Sequence, residues 1–277
     1  MIDGNNIIYH YIQKTLLSDN ANDKFSKELI ERLIIDLSIW FPPNVYQELP
    51  LLLPYVIRDA SCRQKQANGK HEWGFSNTKG FLRDDNSLIK GIISPLQVKS
   101  NKIKEYNNKK LSVGFVASHI WRKLKGKDFL ASTFEKTNSF VPNLVWLPKQ
   151  ISKLTDREGS YAQQILQALS YKIYFNNTLT DFTKEIWQHL EVPSVPAVDN
   201  IDINKLNYFI APDIWIEKKK TMLKKEINII LQTLDSNNNN TTKVKCSSYL
   251  PSLVERIEDN EKGKFKDWLN SNLKQIN

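Results

Sequence analysis

Two stretches in the middle of the chain decide how it is read: Ser112-Val113-Gly114-Phe115-Val116-Ala117-Ser118-His119-Ile120-Trp121 and, after a polar segment, Val141-Pro142-Asn143-Leu144-Val145-Trp146-Leu147-Pro148-Lys149. Short apolar runs with β-branched and aromatic members, bounded by Gly, Pro and polar residues, are expected as strands. The segment between them is long enough to return the chain, so residues 113–117 and 144–147 are predicted to pair antiparallel. His119 closes the first run. The chain has four His, and imidazole is the side chain whose unperturbed titration falls near neutrality, which makes His119 a candidate for proton transfer. Against that stands the plainer reading, a hydrogen-bonded histidine at the edge of a core.

Composition bounds the rest. A length of 277 residues suits one large domain or two small ones and allows a sizeable core. A chain 40% hydrophobic and 25% charged belongs with soluble globular proteins. No apolar stretch approaches a membrane span, and Met1-Ile2-Asp3-Gly4-Asn5-Asn6 lacks the basic start of a signal peptide. The two cysteines, Cys62 and Cys246, form no Cys-x-x-Cys pair. That argues against a structural zinc site or a disulfide framework, and a cytoplasmic location is expected. The net charge of +9 raises the local concentration of polyanions. Most lysine clusters, such as Lys218-Lys219-Lys220, read equally well as solvated helix faces. Arg122-Lys123 with Lys125 and Lys127 differs, because it directly follows His119.

The outer elements read mostly helical. Phe25, Leu29, Leu33, Leu37 and Trp40 share one face of a helix ended by Pro42-Pro43, and Asn44 is a candidate cap for a short helix reaching residue 53. Residues 58–80 read as loop. Residues 81–98, broken by Gly91 and Pro95, read as strands and turns. Thr155-x-x-Glu158 is a capping-box pattern before the stripe Tyr161, Ile165, Leu166, Leu169 and Ile173. Further helices are predicted over 181–190 and 214–234, then a flexible Asn-rich loop over 235–242 and short helices to the end.

An apolar strand ending in Ser118-His119-Ile120-Trp121, a polar loop, then Asn143-Leu144 and a second apolar run leading toward a helix resembles the core of HNH (ββα-metal) nucleases. The resemblance implies an α+β fold with a ββα-metal core over residues 111–176, embedded in a mostly helical elaboration. Residues 1–110 would form an N-terminal helical region with DNA-contacting loops, and residues 177–277 a C-terminal helical region. It implies His119 as the base that takes a proton from the attacking water and Asn143 as the brace that orients it. The cofactor implied is Mg²⁺ or another divalent cation such as Mn²⁺. The family often has Asp before the catalytic His, where this chain has Ser118. It often has His or Asn in the following helix, where this chain has Ser152. The metal-ligand candidates are therefore Asp156, Ser118 and Ser152, with Glu158 and Asp84 or Asp85 as further carboxylates, because Mg²⁺ takes oxygen ligands and tolerates retained waters.

A second nuclease pattern is present. Asp85 with Gln97-Val98-Lys99 resembles a degenerate PD-(D/E)xK site, in which Asp85 would hold the metal and Lys99 polarise the water, although Pro95 disturbs the strand this needs. A basic chain of this length around a nuclease core also resembles type II restriction endonucleases. That implies double-stranded DNA as the partner, a homodimer with two related sites and no membrane. Arg63 and Arg83, together with Arg122, Lys123, Lys125 and Lys127, are the expected DNA contacts. A basic nucleic-acid-binding protein without catalysis is the reading from a different class. If the nuclease reading holds, a carboxylate lies near His119 and Arg122, Lys123, Lys125 and Lys127 line the rim of the same cleft.

Overall fold

The structure, a computed structural model, describes residues 24–56, 63–65, 71–73, 89, 91–127, 130–176, 180–235 and 259–277. The chain is α+β, with nine α-helices among the described residues. Its centre is a six-stranded mixed sheet curled into a half-barrel.

Helix α1 (Lys24–Leu37) buries Ile30, Ile34 and Ile35. The Leu29/Leu33/Leu37 stripe named from the sequence is not that face: Leu29 is exposed and Leu33 and Leu37 are half-buried. Both stripes are apolar, so periodicity alone does not choose between them, and packing on another helix does. Trp40 does not belong to the helix either. The chain leaves α1 at Leu37, and β1 (Ile39–Trp40) begins after Ser38, whose hydroxyl accepts from Trp40 Nε1 at 2.9 Å. Pro43 starts α2 (Pro43–Glu48), the position where a missing N–H costs least. Asn44 lies inside that helix and does not cap it.

Residues 58–80, expected as loop, contain a small antiparallel pair, β2 (Arg63–Lys65) and β3 (His71–Trp73). β4 (Gln97–Lys99) does form, because Pro95 precedes it in a turn and withdraws no ladder N–H. β5 (Lys109–Lys110), β6 (Phe115–His119), β7 (Leu144–Pro148) and β8 (Asn207–Ile210) complete the main sheet, in the order β5-β4-β8-β1-β7-β6. β1 and β8 run parallel and the other pairs antiparallel. Strands therefore come from all three segments, 1–110, 111–176 and 177–277.

The expected pairing of the two central runs forms as β6 with β7, in a register that sets Phe115 against Pro148 and His119 against Leu144. The strand starts two residues later than expected, because Gly114 takes φ +92° in the turn before it. α3 (Glu135–Asn138) lies in the β6–β7 connection, and α4 (Lys149–Ser152) and α5 (Tyr161–Tyr174) follow the hairpin. The cap of α5 is not Thr155 but Ser160, whose side chain accepts from the Gln163 N–H. Later come α6 (Asp181–Trp187), α7 (Pro196–Asp199), α8 (Asp213–Asp235) and α9 (Asp259–Ile276). At 18 residues α9 is a long closing helix rather than a set of short ones.

Aromatic rings fill both faces of the sheet. Phe41 meets Trp146, Phe209 and Trp215 at centroid distances of 5.2, 5.3 and 6.0 Å, which fixes the start of α8 on one face. On the other face Trp40 meets Tyr174 of α5, whose hydroxyl donates to the Phe41 carbonyl at 2.6 Å. Among the described residues no helix is long and apolar enough to cross a membrane. Because Phe41 is fully buried among three rings, Phe41→Ala is expected to destabilise the fold by about 3–5 kcal/mol, measured by urea unfolding.

Candidate functional site

The edge strand β6 ends in a short run whose backbone is pinned at every step. Asn143 is fully buried. Its carbonyl accepts from the Ile120 N–H at 3.0 Å and its Oδ1 from the Trp121 N–H at 2.9 Å. Its Nδ2 donates to the Thr137 carbonyl at 2.8 Å. Gln163, buried in the first turn of α5, donates from Nε2 to the Ile120 carbonyl at 3.0 Å and accepts from the Gly159 N–H at 2.8 Å. The strand end, the loop of α3 and the start of α5 are thus locked to each other around His119.

The His119 ring is oriented by the same loop. Its Nε2 lies 2.8 Å from the carbonyl of Asn138. A carbonyl oxygen only accepts, so Nε2 carries the proton and the basic lone pair of the neutral ring is on Nδ1. Asn138 is itself buried and donates from Nδ2 to the Ser132 carbonyl at 2.9 Å. Neither Asn138 nor Gln163 was singled out in the sequence. Asn138 acts through a backbone carbonyl, which leaves no residue-type signal. Gln163 has one: Ser160-x-x-Gln163 is a capping-box pattern five residues beyond Thr155-x-x-Glu158.

Beside His119 opens a cavity of about 440 Å³. It is lined by four consecutive residues of the edge strand, Val116 to His119, by Arg122, and by Lys149, Ser152, Lys153 and Asp156 from the helical turns after β7. The structure therefore brings together His119, Ser118, Ser152, Asp156 and Arg122. The Ser152 hydroxyl donates to the Lys149 carbonyl at 2.9 Å, which leaves its oxygen lone pairs as acceptors. Lys149 and Lys153 were not among the expected site residues.

Lys123, Lys125 and Lys127 are exposed but do not line this cavity. The reason is the fold of their loop: Leu124 is buried, the Lys125 N–H donates to the His189 carbonyl at 2.8 Å, and Lys127 Nζ sits 5.3 Å from the Phe134 ring centre. Arg63 lies in β2, with its side chain outside the described part, and Arg83, Asp84 and Asp85 lie outside the described residues. Gln97 and Lys99 are exposed on one face of β4, separated from β6 by β8, β1 and β7. Glu158 approaches Gln163 Nε2 at 3.4 Å and does not line the cavity.

As a metal site the cavity offers one lining carboxylate, Asp156, with the hydroxyls of Ser118, Ser132 and Ser152. Among the described residues no group of three or more His, Cys, Asp or Glu could hold an ion. A cage made of protein alone is therefore not what these residues build. A divalent cation placed here would have to keep most of its waters, with Asp156 as its one carboxylate ligand among the lining residues.

The chain matches no family model, no curated protein and no solved structure.

Two measurements follow from this geometry. Asn143→Ala strands the buried Trp121 N–H and Thr137 carbonyl, at roughly 1–3 kcal/mol for each group left without a partner, read by urea unfolding. His189, behind the same loop, is held below its ordinary pKa of 6.5, chiefly by burial and also by the nearby Lys136 and Lys127 charges. Between the lowered folded value and 6.5 the unfolded chain binds a proton that the folded chain refuses. Stability from this group is present above 6.5 and is lost as pH falls through that interval. His189→Gln should flatten the fall in melting temperature on the acid side of pH 6.5.

Proposed function

We propose that the cavity beside His119 is the active site of a metal-dependent endonuclease that hydrolyses DNA phosphodiester bonds, built on an HNH-like (ββα-metal) hairpin and working as a homodimeric type II restriction endonuclease on double-stranded DNA. The observation that carries the reading is the sharing of one cavity by His119, at the end of the first hairpin strand, and Asp156, on the turns after the second. Asn143, at the start of the second strand, supports it by bracing the strand end and the loop that orients the imidazole.

In this mechanism His119 Nδ1 removes a proton from a water in the cavity as the water oxygen bonds to phosphorus. The bond from phosphorus to the leaving sugar oxygen breaks in line with the attack, and that oxygen is protonated from solvent. Asp156, with Ser118 and Ser152, would hold Mg²⁺ or Mn²⁺, which supplies Lewis-acid stabilisation of charge on the phosphate. Arg122 contacts the phosphate chain at the cavity wall. The net charge of +9 draws duplex DNA to the molecule.

Gln97 and Lys99, exposed together on β4, keep the second nuclease reading in view, with Asp85 as its metal ligand. The two sites are separable by mutation. His119→Ala is expected to lower plasmid cleavage in Mg²⁺ by ~10²–10⁴-fold while DNA binding in EDTA persists. Lys99→Ala should cut nearly as well as the parent. Normal cleavage by His119→Ala with loss in Lys99→Ala would move the active site to β4. A gel shift with no cleavage by the parent protein under any divalent cation would leave a binding protein.

A further inference from the structure

We infer that Lys149 and Lys153, which line one cavity with Arg122, form the seat for the scissile phosphate of the bound strand; this rests on the nuclease reading of the same cavity. Both lysines line it and both are exposed. They stand four residues apart on the consecutive turns α4 and the 3₁₀ turn Lys153–Thr155, a spacing that puts their side chains on one side of the backbone. Arg122 lines the same cavity from the residues just beyond the end of β6.

The lining charges set the sign of the ligand. Arg122, Lys149 and Lys153 give +3 and Asp156 gives −1, a net +2 with His119 neutral. A cavity of that sign beside a histidine suits a phosphodiester, whose own negative charge offsets the lining cations. An ammonium has three N–H donors, so a contact within the protein still leaves donors for phosphate oxygens. Arginine adds a planar fork that matches two of those oxygens at once.

The position of the seat is fixed by the backbone and not by the side chains alone. The Lys149 N–H donates to the Gly114 carbonyl at 2.7 Å, and the Lys149 carbonyl accepts from Ser152 Oγ. The first lysine is therefore tied to the start of the strand that ends in His119. With one carboxylate lining the cavity, these side-chain cations supply positive charge that nucleases richer in carboxylates take from additional metal ions.

The test uses the full chain in EDTA, where nothing is cut, and thymidine 3′,5′-bisphosphate as the probe. Isothermal titration should show Lys149→Ala and Lys153→Ala each weakening binding about tenfold, with Lys149→Arg restoring most of the loss. Lys184→Ala, an exposed lysine of α6, should bind like the parent. If the alanine variants fail to fold, the parent chain still answers: the bisphosphate should slow acetylation of Lys149 and Lys153 but not of Lys184. Parent-like binding by the double variant, or equal protection of all three lysines, would overturn the seat. Bisphosphate held by the two lysines with DNA left intact in Mg²⁺ would keep the seat and remove the nuclease reading. Parent-rate DNA cleavage by the double variant would keep the nuclease reading and remove the seat.

Discussion

The buried side chain of Asn143 is the interaction on which the candidate site depends. A primary amide in a core is costly unless both its ends are satisfied. Here the oxygen takes the Trp121 N–H and the nitrogen takes the Thr137 carbonyl, so one residue closes the β6 end onto the loop that returns to β7. Asn138, next to Thr137, then presents its own carbonyl to His119. Orientation of the imidazole is thus set by backbone atoms held in a polar network. Such networks are rigid when complete, and the low dielectric around them strengthens each bond.

Electrostatics around that network are divided by the fold. The cation cluster that follows His119 in sequence is split in space. Arg122 stays with the cavity, while Leu124 buries and carries the loop toward His189. Two lysines from a different element, Lys149 and Lys153, take the place that Lys123 and Lys125 were expected to fill. Adjacency in sequence is a poor guide to a shared surface when a buried residue lies between the charges.

The hairpin was legible because its two strands are short, apolar and bounded by turn residues. Helix α5 was legible from its apolar stripe, and the existence of α6 and α8 was legible as well. What escaped has physical causes. The face of α1 was misread because leucines and isoleucines form two competing stripes, and burial against α5 selects Ile30 and Ile34. Trp40 was assigned to a helix because one aromatic residue at helical spacing does not distinguish the last helical turn from the strand that follows it. The pairing of β1 with β8 joins residues far apart in the chain, and no local pattern announces it. Gln163 reaches the strand end only after α5 has docked.

The order of strands has a consequence for how the molecule is made. β8 lies between β4 and β1, so the half of the sheet that carries β4 and β5 has no neighbour to join until residues 207–210 have been synthesised. The hairpin of β6 and β7 with α5 is by contrast contiguous in the chain and closes through local contacts, which form fastest. A nascent chain would assemble the His119 loop early and hold the edges of β1 and β4 unpaired until late. That places the interval of greatest exposure to edge-to-edge association between the emergence of β7 and that of β8.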